Sequence, residues 1–300
     1  MKTAAESSIP ASVQDSTVIL SLTFHRFGDR LKLSDDEYQC DAEKKRTGAH
    51  KRLLSSEELD AIISLQGAAR RAVQRFAVPC HAVRYGRYIV PIALVARVEE
   101  VIADYSARLD EAVALLVENY DRLIERDERE LGAVFARRDY PGANELRGSF
   151  GIETEWEATS VPVALKQIKQ ALFAREKAKA ERRWADASDE IRAGLRAGFM
   201  DLVSRLGERL APATDGKRTV LKSSLVEGLR EFLDLFSAKN LTDDRALSAL
   251  VSKARCLVDG VSPDDLRRSE DVRTEVQRGL GEIAKIATTL VDVRSRKIAI

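Results

Sequence analysis

Between Leu94 and Leu123, apolar residues recur at steps of three and four: Leu94, Val98, Val101, Tyr105, Leu109, Ala112, Leu116, Tyr120 and Leu123. That spacing puts one side chain per turn on a single face of an α-helix, whereas a strand would alternate every second residue. Sustained over about four heptads, it predicts a long helix with a coiled-coil-like seam. Arg97, Glu99, Glu100, Asp104, Arg108, Asp110 and Glu111 fill its other faces. Pro91 suits a first helical position, and the next strong stop is Asp139-Tyr140-Pro141-Gly142. A helix from Pro91 to Arg138 would be roughly 65–70 Å long at 1.5 Å per residue. A second seam, Val276, Leu280, Ile283, Ala287 and Leu290, repeats the spacing near the other end of the chain.

The rest of the chain reads the same way. Ser55-Ser56-Glu57-Glu58 predicts a capping box with Ser55 as N-cap, opening a helix that stops before Pro79. Pro162 opens a third helix whose middle, Arg175 to Arg183, is almost all charge; apolar spacing resumes at Trp184, Ala187, Ile191 and Leu195. Such a block predicts a helix that projects from the core. Three more helices follow, one capped at Thr242-Asp243-Asp244 and ended by Gly260, the last opened by Ser262-Pro263-Asp264-Asp265. Thr17 to Phe27 is β-branched and aromatic and predicts a strand, with Gly28-Asp29 turning it back into a hairpin strand at Arg30 to Leu33. Gly151 to Ser160 is read as an acidic link. The expected fold is mostly α: an elongated helical bundle with long coiled-coil-like helices and a small N-terminal β-hairpin. The expected organisation is a flexible tail over 1–16, a strand and helical hairpin over 17–150, and a C-terminal helical bundle over 151–300.

Composition narrows the functional classes. The 49 Lys and Arg against 48 Asp and Glu leave a net charge of +1, which is no electrostatic trap for polyanions. Three Cys provide no disulfide framework and fit a reducing compartment. No apolar run reaches the roughly 20 residues of a membrane span, and no apolar segment of a signal peptide follows Met1-Lys2. A cytoplasmic protein off the membrane is expected.

Catalytic patterns are sparse. Of the three histidines, only His81 adjoins a cysteine, Cys80. Neighbours in an extended segment point to opposite sides, so these two cannot easily pair with each other as nucleophile and base. Cys40, His50, Cys80 and His81 lack the paired spacing of a zinc site. No phosphate-binding glycine loop is present. The expectation is therefore a protein that is not an enzyme, with no metal and no cofactor. The connector after the first helix interleaves Arg84, Tyr85, Arg87 and Tyr88, as proteins that stack and neutralise single-stranded nucleic acid do. A nucleic-acid-binding module is the alternative to a helical scaffold.

Three stretches together resemble the bacterial and phage family called domain of unknown function 3150. They are the opening strand and turn from Val18 to Leu33, the helix bearing Ala68-Ala69-Arg70-Arg71-Ala72-Val73 before the connector Ala82 to Pro91, and the long helix holding Tyr105 to Val113. Phe27 stands where the family has Trp, and Arg84-Tyr85 where it usually has a Gly pair. The resemblance implies a component encoded beside a MoxR-like AAA+ ATPase and a von Willebrand factor A (VWA) domain protein, often on phages or mobile elements, and it carries over no catalytic residue. With the two seams, it leads to a non-enzymatic, oligomeric scaffold or adaptor with protein partners.

Overall fold

The computed structural model describes residues 13–34, 36–38, 48–81, 86–159, 167–211 and 221–291. In chain order these form strands β1 (Thr17–His25), β2 (Arg30–Lys32) and β3 (His50–Arg52), helix α1 (Glu57–Gln74) and strand β4 (Arg87–Pro91). Helices α2 (Val95–Glu118), α3 (Tyr120–Leu131) and α4 (Ala143–Gly148) follow, then strand β5 (Gly151–Ala158). The chain continues with α5 (Gln170–Leu210), α6 (Ser223–Lys239), α7 (Arg245–Val258), α8 (Pro263–Arg268) and α9 (Glu270–Leu290). Helices make up 68% of the structure, so the fold is mostly α with a small sheet. None of the described helices is long and apolar enough to cross a membrane.

The N-terminal hairpin does not form. β1 is the centre of an antiparallel sheet ordered β4-β1-β5, and β2 pairs instead with β3. Local turn chemistry competes here with a larger gain. Leu20 and Leu22 on one face of β1 are buried with Val73 and Phe76 at the end of α1, and with Leu94 and Val98 of the α2 seam. Burying each such side chain stabilises the fold by roughly 1.5–3 kcal/mol, more than a two-residue turn supplies. The predicted acidic link is β5, whose whole length pairs with β1, from Val18↔Ala158 to His25↔Gly151. The sheet therefore joins residues on both sides of position 150. Of the expected tail, residues 1–12 lie outside the described residues, and Val13 is buried in the main core.

Helix boundaries shift where a local competitor exists. The N-cap of α1 is Ser56, one residue after the expected Ser55, with its side chain accepting from the Leu59 N–H at 3.2 Å. The long predicted helix breaks at Asn119, which stands between α2 and α3 with φ −89° and ψ 2°. Its side-chain amide donates to the Leu115 carbonyl and competes with the backbone ladder. The last helix divides at Ser269, which caps α9 by accepting from the Val272 N–H. As expected, Gly260 takes the left-handed conformation, with φ +69°, after α7.

The largest core lies along α5. Ala180, Trp184, Ala187, Ile191, Leu195, Phe199, Val203, Leu206 and Leu210 are buried, at steps of three and four, against α6, α7 and α9. At Gly279 of α9, a Cβ would come within 2.6 Å of the Leu257 side chain of α7, so glycine sets that close approach. A second core joins α1, α2, α3 and α4 through Ile62, Leu109, Leu116, Leu123 and Leu146. At its edge the buried Asp127 carboxylate accepts from the Leu54 N–H at 2.6 Å and the Tyr140 hydroxyl at 2.9 Å.

Candidate functional site

The Arg/Tyr connector is divided by the strand it enters. Arg84 and Tyr85 lie outside the described residues. Arg87 and Tyr88 open β4, where successive side chains point to opposite faces. Tyr88, opposite Leu20, packs into the core between the sheet and α1–α2. Arg87, opposite Ser21, turns to the other face and pairs with the Glu157 carboxylate of β5, to which the Ser21 hydroxyl also donates at 3.1 Å. A stacking platform needs cation and ring on one surface, and this geometry separates them.

The neighbouring Cys80 and His81 behave differently. They do not pair with each other; both meet Glu190 of α5. The Cys80 thiol donates to Oε2 at 3.4 Å, the His81 N–H donates to the same oxygen at 3.0 Å, and the His81 ring Nδ1 bonds Oε1. One residue earlier, Pro79 lies against Gly194, where a Cβ would sit 2.7 Å from the proline ring. Glycine at 194 thus lets the connector lie directly on the helix. Burial pushes the Glu190 carboxyl up. The hydrogen bonds from the His81 ring, the His81 backbone and the Cys80 thiol outweigh burial and hold the carboxyl below its ordinary value. A cavity of about 710 Å³ opens beside the cluster, lined by His81, Asp189, Arg192, Arg196 and Leu290 among others. Arg196 is already committed, with Nε and Nη2 on Asp244 at 2.6 and 3.2 Å and Nη1 on the Leu290 carbonyl.

Chemically the cluster is a clasp. Nothing in the spacing of the chain links Glu190 to Cys80, and the only signal was a carboxylate beside the core residue Ile191. Because Glu190 is held below its ordinary value of 4.5 when folded, it stabilises the clasp at neutral pH. That contribution fades as pH falls from about 4.5 through the folded value. Glu190→Gln is therefore expected to melt below the wild type at pH 7, and the difference should shrink at pH 3.5. Equal melting temperatures at pH 7 would refute the clasp.

The remaining polar candidates are apart. His25 pairs with Glu153 on the sheet at 2.8 Å, and His50 lies opposite Lys32 in the β2–β3 ladder. Cys40 is outside the described residues. Among the described residues, no group of three or more His, Cys, Asp and Glu side chains is arranged to hold a metal ion.

Both predicted seams close within the chain. Leu94, Val98, Leu109 and Leu116 are buried, but Val101 and Tyr105 are only half-buried; Ile102 and Val113 take the inward places around them. These buried residues pack on α1 and on the sheet of the same chain. Tyr105 instead carries the Arg108 guanidinium 4.8 Å above its ring. Val276, Leu280 and Ile283 are buried in the core of α5, with Leu290 packed at its margin. The oligomer expectation rested on these seams, and their buried residues are taken up by the chain's own helices.

No family model, curated protein or solved structure matches the chain.

Proposed function

We propose that the chain is a non-enzymatic helical scaffold or adaptor that binds protein partners in the cytoplasm, where its cysteines stay reduced. Its partners in this reading are the MoxR-like AAA+ ATPase and the VWA-domain protein that the family resemblance implies. The observation that carries it is the start of α5. None of the residues from Gln170 to Lys179 is buried, and the core begins only at Ala180. This is the charged block expected in the middle of the helix, and it stands at its N-terminal end. Ion pairs of Glu176 with Arg175 and Lys179, and of Lys177 with Glu181, support those turns in place of a core. Leu172 and Phe173 are half-buried there and Ile168 is 75% exposed. A helix of 41 residues is about 60 Å long, and its first three turns offer a partner both charge and apolar grip. The elongated, coiled-coil-like form belongs to this proposal, as does a homo-oligomer, which would have to use surfaces other than the seams.

The nucleic-acid alternative is weaker, because Arg87 is engaged by Glu157. The test of the adaptor is co-elution of the purified chain with the ATPase, wild type against the double substitution Leu172→Asp and Phe173→Asp. Loss of co-elution with an unchanged melting temperature is expected. Co-elution undiminished by the substitutions would remove the α5 start as the partner surface.

A further inference from the structure

The two edges of the sheet differ. Leu22 N–H donates to the Gly86 carbonyl, on the β4 side of β1. In an antiparallel ladder the N–H and C=O of one residue point the same way and alternate along the strand. Leu20 and Leu22 therefore bond towards β4, and Ile19, Ser21, Thr23 and His25 towards β5. Their partners in register are Glu157, Glu155, Glu153 and Gly151. The backbone groups of Ile152, Thr154, Trp156 and Ala158 are left pointing away from the sheet. By the same rule, Ile89 of β4 points outward, and there the Val78 N–H reaches its carbonyl at 2.9 Å. The β4 edge is covered in this way, whereas no described strand pairs with the outer edge of β5.

Side chains define what fits this edge. Glu153, Glu155 and Glu157 share one face of β5, and Ile152, Thr154 and Trp156 the other, where the Trp156 Nε1–H donates to Glu99 of α2 at 2.6 Å. A second copy of β5 added antiparallel would set glutamate against glutamate, and like charges directly opposite are destabilising. Acidic side chains at an edge commonly serve to block such self-pairing. The same charges attract a strand of opposite sign.

We propose that the outer edge of β5 receives an extended segment of a protein partner in which Lys or Arg alternates with apolar residues. Main-chain hydrogen bonds to the outward groups of Ile152, Thr154, Trp156 and Ala158 hold the segment, and its cations lie beside Glu155 and share Glu153 and Glu157 with His25 and Arg87 of the sheet. The proposal rests on the adaptor reading and names the chemistry of the partner.

The probe is a labelled eight-residue peptide alternating Lys and Val, with a Glu/Val peptide as control, titrated into the full chain. The Lys/Val peptide is expected to bind and the Glu/Val peptide not. Thr154→Pro removes an outward N–H and leaves the β1 ladder intact, as proline is tolerated on the solvent side of an edge strand. It is expected to weaken binding at least tenfold, and Glu155→Lys severalfold. On the unaltered chain, the Thr154 and Trp156 amides should gain exchange protection when the peptide binds, while the Glu155 amide, already in the ladder, should not. Absence of Lys/Val binding, or binding without that alternate protection, would overturn the proposal even if Thr154→Pro failed to fold. If the ATPase co-elutes equally with wild type and a folded Thr154→Pro variant, the edge is refuted as its site and the adaptor reading stands.

Discussion

Replacing Asp127 with Ala is expected to destabilise the chain by about 3–5 kcal/mol. The carboxylate is 3% exposed and accepts two hydrogen bonds, from Leu54 N–H and the Tyr140 hydroxyl. Each such bond to a charged group contributes roughly 1.5–3 kcal/mol, and removing the acceptor leaves two donors buried without one. Leu54 is fully buried and held at φ +51°, a left-handed conformation that a β-branched or bulky residue adopts only when its surroundings impose it. Burial, followed by the hydrogen bond to Asp127, pushes the Tyr140 phenol well above its ordinary value, so it remains a donor at any working pH. Asp127→Asn keeps one acceptor oxygen and should recover part of the loss. Urea unfolding of the three proteins measures this directly, and a loss under about 1 kcal/mol for the Ala variant would mean that water replaces the carboxylate.

Phe199→Ala is expected to cost a similar amount, about 3–5 kcal/mol, by a different route. Phe199 is fully buried at the middle of the α5 stripe, with its ring centroid 5.7 Å from that of Phe232 on α6. Truncation leaves a cavity beside the Phe232 ring that the packed helices close only in part. If the α5 stripe were instead an exposed seam awaiting another chain, the same substitution would fall within about 0.5 kcal/mol in the isolated protein. Thermal or denaturant unfolding at low concentration separates the two outcomes.

What could be read from the chain, and what could not, divides by distance along it. Ser262-Pro263-Asp264-Asp265 is a complete local instruction. The Ser262 hydroxyl accepts from the Asp265 N–H at 3.1 Å, and the Asp265 carboxylate accepts from the Ser262 N–H at 2.8 Å, as that tetrapeptide predicts. The inward face of α9, and of α2 in part (Ile102 and Val113 are buried there while Val101 and Tyr105 are only half-buried), was legible for the same reason, since periodicity is a property of one helix. β5 was not. Its alternation of Ile152, Thr154 and Trp156 with Glu153, Glu155 and Glu157 is a strand signal, but three glutamates mask it, and its partner β1 lies some 130 residues earlier. Asn119 carries only a weak helix-breaking preference, so the break between α2 and α3 was not legible from it. The clasp at Glu190 joins residues more than a hundred positions apart, a distance over which spacing carries no information.

The helical seams are taken up by the chain's own core, and the start of α5 and the β5 edge are the surfaces proposed for partners. The most direct measurement is a calorimetric titration of the purified chain with the MoxR-like ATPase and, separately, with the VWA-domain protein. Binding to at least one of them is expected with a Kd below about 10 µM, near 7 kcal/mol of association free energy. No detectable binding to either at low and at physiological salt would contradict the adaptor.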